Sequence, residues 1–366
     1  MQRKRSPRRL IGRPSRRQLI KHSLAVAVSA PVLNAMNARR AAAAGQVNVY
    51  NWDTYIGEST LQDFSGDTGI EVRYDLFADN AELFARLREG NPGYDVIVPT
   101  NDFTERMILA EMLQKIDHSK IPNFSNLDPA FQDVAFDPGR QYSIPYFWGT
   151  IGLGYRVSAV DPAPTSWGVI FDKSDDYANR TSWLAEPSTL MQMALKYLGY
   201  SLNSTNMDEL AEAEAVLTAS KANVRSIAGD NGQDLLLAGD VDICMEWNGD
   251  ILQVMEEDDD LSYTVPQEGG LIWEDTFAIP TEAPNLGEAH EFINYILTPQ
   301  VHADIADYIY YALPNAEAKK LMSAEYLENP AIFPTDEIVA KSESAKYLGE
   351  DINTFYSEAF TRIRAS

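Results

Sequence analysis

From residue 47 onward, short apolar runs alternate with amphipathic stretches of helical periodicity. The run 47–52 is a candidate strand, and an amphipathic helix fits from about Ser59 until two glycines end it. Alternating residues in 70–74 predict a second strand, and Asn80 is a candidate cap for the next helix. This repeated order of strand and helix predicts an α/β fold, with a mainly parallel sheet and helices on its faces.

A second region of the same class runs from about 152 to 276. Its candidate strands include 182–185 and 241–247, a long amphipathic helix fits 207–220, and 276–280 is a further candidate strand. A chain of 366 residues is long enough for two domains. No long Gly/Ser linker separates the two regions, so several short chain crossings are expected between them.

Residues 1–44 have the layout of a cleavable export signal. A basic region is followed by the apolar run 24–33 and by four alanines, and this run is shorter than the about 20 residues that span a bilayer. Residues 15–21 resemble the twin-arginine export motif. We expect cleavage near Ala43 or Ala44, no stable membrane insertion afterwards, and a soluble mature protein outside the cytoplasmic membrane.

The charge of the chain is divided unevenly. The chain carries 30 Lys and Arg against 54 Asp and Glu, and eleven of the basic residues but no acid lie in 1–44. Residues 45–366 therefore hold 19 basic and 54 acidic side chains, a net charge of −35. Such a body repels nucleic-acid phosphates and an anionic membrane surface, so neither is an expected partner, whereas a cationic ligand is compatible with it.

Catalytic and metal-binding patterns are missing from the sequence. Cys244 is the single cysteine and lies in an apolar stretch, which is typical of a buried side chain. The three histidines after the signal have no metal-ligand spacing, and the acidic run 256–260 lacks the alternating ligands and glycine of a calcium loop. Nothing indicates an enzyme, a cofactor or a metal.

Aromatic side chains beside acids form the distinctive pattern. Trp52 and Tyr55 follow the first candidate strand, Trp247 ends another, Trp273 precedes two acids, and Tyr311 precedes a short apolar segment. In open α/β sheets, ligands bind beyond the carboxyl ends of the strands. Aromatic faces contact methylene groups and attract ammonium groups, and carboxylates pair with charged ends, so the pattern favours a cationic ligand with an apolar stem.

The body of the chain resembles the periplasmic spermidine/putrescine-binding proteins of ABC transporters. The resemblance covers about 49–364 and is specific for the family. The segments that carry it are 50–52 with Tyr55, 94–99, 114–117, 123–129, 142–149, 192–195, 198–201, 247–249 and 268–270.

The resemblance implies a periplasmic-binding-protein fold of two α/β lobes joined by a hinge, with the ligand cleft between the lobes. It assigns 45–151 with 277–320 to one lobe and 152–276 with 321–366 to the other. It also implies a periplasmic location, a monomer, and delivery of the ligand to the permease subunits of an ABC transporter.

The resemblance also implies a set of ligand contacts. These are Trp52, Tyr55, Glu186, Trp247, Trp273, Asp275 and Tyr311, with Asp53 and Asp102 at positions that depart from the family. Asp53 replaces a common threonine or serine, and Asp102 or Phe103 replaces a tyrosine. Thr189 replaces a frequent glutamate, so the spacing of the bound amines can differ from that for spermidine, and the ligand is assigned only as a polyamine or a related diamine.

Three alternatives stay open at this point. The same fold can bind an amino acid, a sugar, iron or a cationic compatible solute, with an anion the least expected. A secreted hydrolase that uses two carboxylates is a second alternative. A sensory role, with the loaded protein presented to a membrane receptor, is a third.

Overall fold

The structure is a computed structural model that describes residues 45–172, 174–229 and 231–366. The predicted export signal, including residues 15–21 and the cleavage region near Ala43, lies outside these residues. Among the helices that are described, none combines the length and apolar character needed to cross a membrane.

The described residues form ten strands and a larger number of helices. The strands are β1 (Gln46–Trp52), β2 (Glu71–Phe77), β3 (Val96–Ile97), β4 (Ser143–Arg156), β5 (Thr181–Leu184), β6 (Val224–Ala228), β7 (Ile243–Trp247), β8 (Leu261–Thr264), β9 (Leu271–Ala278) and β10 (Glu343–Ser344). The α-helices are α1 (Thr60–Thr68), α2 (Asn80–Arg88), α3 (Asn101–Leu109), α4 (Pro129–Gln132), α5 (Gly168–Phe171), α6 (Pro187–Tyr197), α7 (Met207–Ser220), α8 (Gly232–Leu237), α9 (Asn248–Met255), α10 (Leu286–Ile296), α11 (Pro299–Ile309), α12 (Ala316–Lys319), α13 (Ala324–Leu327), α14 (Asp336–Lys341) and α15 (Glu350–Ala365).

The first three strands form a parallel group, in which β1 pairs with β2 on one side and with β3 on the other. The predicted cap of α2 is wrong by one residue. Asp79 is the cap, and its side chain accepts a hydrogen bond from the backbone N–H of Glu82 at 2.7 Å. Asn80 is the first helical residue, and its side chain exchanges two hydrogen bonds with Thr100, at 2.9 and 3.1 Å, which ties α2 to the start of α3.

The second region contains another parallel group, in which β5 pairs with β6 and with β7. Here β5 and β7 correspond to the predicted strands, and α7 has the predicted bounds. Pro187 occupies the first position of α6, where a backbone N–H has no partner within the helix and proline is therefore tolerated.

Two long antiparallel strands, β4 and β9, join the groups. The first part of β4 pairs with β9, and its second part pairs with β7 and β8. The strand order is β2-β1-β3-β9-β4-β7-β5-β6. The prediction of a mainly parallel sheet is therefore correct for the strands on either side and wrong for the centre, where β9 and β4 pair antiparallel with each other and with their neighbours. The strand predicted at 276–280 is the end of β9, which begins five residues earlier at Leu271.

Candidate ligand-binding site

The end of β1 supplies the first wall of the candidate site. Trp52 is the last residue of β1, and its Nε1 donates a hydrogen bond to the carbonyl oxygen of Val98 at 2.9 Å. Tyr55 is buried, and its ring meets the ring of Tyr311 edge to face, with centroids 5.3 Å apart. The exposed Asp53 lies between these two aromatic residues in the chain.

The middle of β9 supplies the second wall. Trp273 and Asp275 are two residues apart in this strand, so both side chains point to the same face of the sheet. Their exposed fractions are only 4% and 6%. The hydroxyl of Thr100 donates to Asp275 Oδ1 at 2.7 Å. Unlike Trp52 and Trp247, Trp273 does not end its strand, because β9 continues to Ala278.

The junction of β7 and α9 supplies the third wall. Trp247 ends β7, and its ring meets Trp273 at a centroid distance of 5.9 Å and an interplanar angle of 80°. Trp273 in turn meets Tyr311 at 5.1 Å and 73°. Gly249 makes room for Tyr311, since a Cβ at this position would lie 2.5 Å from ring carbons of the tyrosine. Asp250 follows in the first turn of α9 and is 7% exposed.

These walls line a pocket of about 380 Å³, a volume that includes its open side. An adjoining cavity of about 310 Å³ shares Thr100 and Trp247 with it. The pocket is lined by Trp52, Asp53, Tyr55, Thr100, Trp247, Asp250, Trp273, Asp275 and Tyr311. The cavity is lined by Asn80, Thr100, Asp102, Phe103, Glu186, Ser188, Thr189, Gln192, Trp247, Leu271 and Ala345.

The structure brings the sequence-predicted residues together in two sets. Seven of them line the pocket, and Glu186 and Asp102 line the adjoining cavity. Asp102 and Phe103, the two candidates for one tyrosine position of the family, both line the cavity. Thr189 also lies there, and its hydroxyl donates to Glu186 Oε2 at 2.8 Å.

Sequence reasoning missed two polar residues of the pocket, Thr100 and Asp250. Asp250 could have been predicted from the sequence, because it lies only three residues after Trp247, in the first turn of the helix that follows the strand. Thr100 had no such signal, since only the pairing of β9 with the segment before α3 places its hydroxyl at Asp275.

Burial changes the acid–base behaviour of these carboxyl groups. Burial raises the pKa of Asp275 to about 8, and the hydrogen bond from Thr100 lowers it only in part. Burial raises the pKa of Asp250 to about 7, with Tyr311 opposing and Asp53 adding to the shift. Burial likewise raises the pKa of Asp102 to about 6. In each case the cause is removal of a carboxylate from water. A cation bound beside the carboxylate would lower its pKa again, because the positive charge favours the ionised form.

The chemistry available in this cleft is recognition of positive charge on an apolar stem. Among the described residues that line the pocket and the cavity there is no lysine, arginine or histidine to neutralise the acids. In the part of the chain that is described, no group of three histidines, cysteines or acids is arranged to hold a metal ion. Cys244 is buried, and burial raises the pKa of its thiol, so it is not an activated nucleophile.

The sequence is similar to bacterial solute-binding proteins over most of its length. The family model for bacterial extracellular solute-binding proteins matches residues 59–335. The spermidine/putrescine-binding periplasmic protein of Salmonella typhimurium is 34% identical over 332 residues, which cover 90% of this chain and 94% of that protein. The putrescine-binding periplasmic protein of Escherichia coli is 34% identical over 337 residues, which cover 87% and 91%.

A solved structure is similar over the same range. A candidate spermidine/putrescine ABC transporter from Listeria monocytogenes superposes with a TM-score of 0.83 at 33% identity. The match covers 87% of this chain and 99% of that one.

Proposed function

The chain belongs to the family of bacterial extracellular solute-binding proteins, and on that premise we propose that it captures a polyamine and delivers it to an ABC transporter. Its mixed α/β fold is that of the solved members of the family. The family consists of transport proteins and not of enzymes, so the secreted hydrolase considered from the sequence is set aside.

One observation carries the choice of ligand class. Five carboxyl groups and six large aromatic side chains line the two adjoining spaces, and none of the described lining residues is basic. A polyamine matches both properties, because it joins ammonium groups by apolar methylene segments. Amino acids and sugars leave most of these acids without a positive partner, which costs free energy when the acids are buried.

The proposed roles follow from position. Asp275 and Asp250 would each pair with an ammonium group in the pocket, and Glu186 with one in the adjoining cavity. Trp247, which borders both spaces, and Trp273 would contact the methylene stem between the charges.

Closure of two lobes is the proposed mechanism of capture. We assign 45–151 with 277–320 to one lobe and 152–276 with 321–366 to the other, as the resemblance to the family implies. The split pairing of β4, with β9 in its first part and with β7 and β8 in its second, supports a division near residue 151. A ligand that contacts both lobes then stabilises the closed arrangement, because only that arrangement offers all the contacts.

The export route is a further part of the proposal. The family is extracytoplasmic, and the paired Arg16 and Arg17 support transport by the twin-arginine pathway in the folded state. Replacement of both by lysine is expected to leave the precursor in the cytoplasm, as cell fractionation would show. Normal export of this variant would refute the route without touching the ligand assignment.

A ligand panel tests the function. We expect putrescine, cadaverine, spermidine or spermine, and not amino acids or sugars, to raise the melting temperature of the purified mature protein. A ligand at 100 times its dissociation constant adds about 2.7 kcal/mol of stability, which shifts a melting curve by several degrees. A shift produced by another ligand class, with none from any polyamine, would refute the proposal.

A further inference from the structure

A cluster of contacts outside the ligand pocket joins two segments that border the adjoining cavity. Asn101 Nδ2 donates to the carbonyl oxygen of Ala345 at 2.7 Å, and the backbone N–H of Tyr347 donates to Glu105 Oε2 at 2.9 Å. Arg106 makes a two-pronged contact with Glu350, from Nε to Oε1 at 2.9 Å and from Nη2 to Oε2 at 2.8 Å. We call these three contacts, between 101–106 and 345–350, the latch.

The two sides of the latch are anchored to different parts of the molecule. On one side, the Arg106 guanidinium lies 3.8 Å above the ring of Phe84, which fixes α3 against α2. On the other side, Glu343 forms an ion pair with Lys196 of α6 at 3.1 Å, and α15 packs along α6 and α7. The latch therefore connects the part of the protein that contains β1–β3 to the part that contains β5–β7.

The latch is next to the cleft but separate from the proposed ligand contacts. Asp102 and Phe103, which face the cavity, lie between latch residues of α3, and Ala345 lines the cavity from the opposite side. Arg106, Tyr347 and Glu350 line neither the cavity nor the pocket. Their contacts are thus made by the protein with itself and need no ligand atom.

We propose that the latch sets the ligand affinity by stabilising the closed arrangement directly, with Arg106 and Glu350 as its main positioning residues. This inference rests on the proposed function and lobe division. A binding-competent arrangement that is only partly populated weakens the apparent affinity by its population. Loss of the latch lowers that population and leaves the ligand contacts themselves unchanged. Because the ligand enters and leaves while the lobes are open, a less stable closed arrangement reopens more often, and the effect falls on the dissociation rate.

The same helix offers a matched control pair. Arg362 of α15 makes an equivalent two-pronged contact with Glu214 of α7, at 2.6 and 2.9 Å. Both members of this pair lie on the same side of the cleft. Glu214→Gln therefore removes the same kind of charge pair from the same helix without affecting closure.

The experiment compares Glu350→Gln with Glu214→Gln. For Glu350→Gln we expect about a two- to fivefold weaker polyamine affinity by calorimetry, with a faster dissociation rate and a nearly unchanged association rate, since a two-pronged but solvent-screened charged contact is lost. For Glu214→Gln we expect wild-type affinity. The double variant with Arg106→Glu and Glu350→Arg restores the pair and is expected to recover most of the affinity.

The outcomes separate the latch from the function. If the wild type binds a polyamine and Glu350→Gln binds it equally well, or if both single variants weaken binding alike, the latch inference is wrong and the function stands. If the wild type binds no polyamine, the function fails, and X-ray scattering of the ligand-free protein decides on the latch. A radius of gyration that is the same in wild type and Glu350→Gln then overturns it.

Discussion

Replacement of Asp275 by asparagine should have opposite effects on the empty and the loaded protein. The Asp275 side chain is 6% exposed and accepts a hydrogen bond from Thr100 at 2.7 Å. It also faces Tyr55 and experiences the charges of Glu186 and Glu274. Asparagine has the same shape and retains an oxygen that can accept from Thr100, but it carries no charge.

The effect on the empty protein follows from the raised pKa. Burial raises the pKa of Asp275 from 3.8 to about 8. A carboxyl group whose folded-state pKa lies above its unfolded value destabilises the folded state progressively as the pH rises from about 4 to about 8. At about 1.4 kcal/mol for each pKa unit, the penalty at pH 7 is on the order of 4 kcal/mol. Asp275→Asn removes this penalty, so the ligand-free variant should melt above wild type at pH 7 and at a similar temperature near pH 4.

The effect on binding has the opposite sign. Loss of one partner from a buried pair between a carboxylate and an ammonium group costs on the order of 2–5 kcal/mol, which is a loss of at least about 30-fold in affinity. In wild type, the ammonium group favours ionised Asp275, so binding at pH 7 should release a proton. The affinity should then fall by about tenfold for each pH unit below 8 as long as one proton is exchanged.

Calorimetry and thermal melting test this reasoning together. Titration at pH 6, 7 and 8 in two buffers of different ionisation enthalpy gives the affinity and the number of protons released. Asp259→Asn, the same chemical change in the exposed acidic turn, is the control and should alter neither quantity. The reasoning is refuted if Asp275→Asn keeps wild-type affinity, or if its ligand-free form melts below wild type at pH 8.

Three further substitutions probe the site and its support. Asp250→Asn should weaken polyamine binding at least about tenfold by calorimetry, since a buried carboxylate of the pocket loses its charge. Gly149→Ala would place a Cβ 2.6 Å from the Trp273 ring, so it should lower stability by about 1–3 kcal/mol in urea unfolding and weaken binding by displacing that ring. Arg140→Met leaves Glu274 without its buried partner at 2.7 Å and should lower the free energy of unfolding by about 3–5 kcal/mol.

Matched changes elsewhere serve as controls for the last two. Gly287→Ala, where a Cβ would meet nothing within 4 Å, should not destabilise α10. Arg225→Met breaks an exposed pair with Asp240 and should cost less than about 1 kcal/mol. Equal effects of Gly149→Ala and Gly287→Ala, or of Arg140→Met and Arg225→Met, would contradict the assignments.

Much of the fold could be predicted from local sequence patterns, and the errors of the prediction have a common cause. The helix at 207–220 has a polar cap and a regular apolar stripe, so its bounds were correct. The bounds predicted for the strand at 276–280 were wrong, because its continuous apolar run covers only the end of β9, whereas the first part of β9 alternates in burial. Antiparallel pairing in the centre could not be predicted, since it depends on contacts between distant segments.

In the candidate site, too, the residues that could be predicted are those marked by their neighbours in the sequence, and the residues that were missed depend on contacts between distant segments. Aromatic residues near strand ends led to Trp52 and Trp247, because the chain itself carries both signals. Thr100 and Asp250 acquire their roles through burial by other segments, and the sequence contains many exposed acids with similar surroundings. Burial therefore distinguishes a binding carboxylate from a solvated one, and burial is a property of the folded chain.

The net charge of −35 on residues 45–366 and the acids of the pocket act on different steps of capture. Exposed carboxylates are screened within about 8–10 Å at physiological ionic strength, so they draw a cation toward the protein and change the association rate in a salt-dependent way. Asp250 and Asp275 are buried and weakly screened, so the proposed pairing with them would hold the cation and slow its dissociation. Removing surface acids should therefore slow capture without loosening the complex. In the proposed site the affinity would depend on the few acids placed among aromatic rings, and the excess of acids along the chain would be no measure of it.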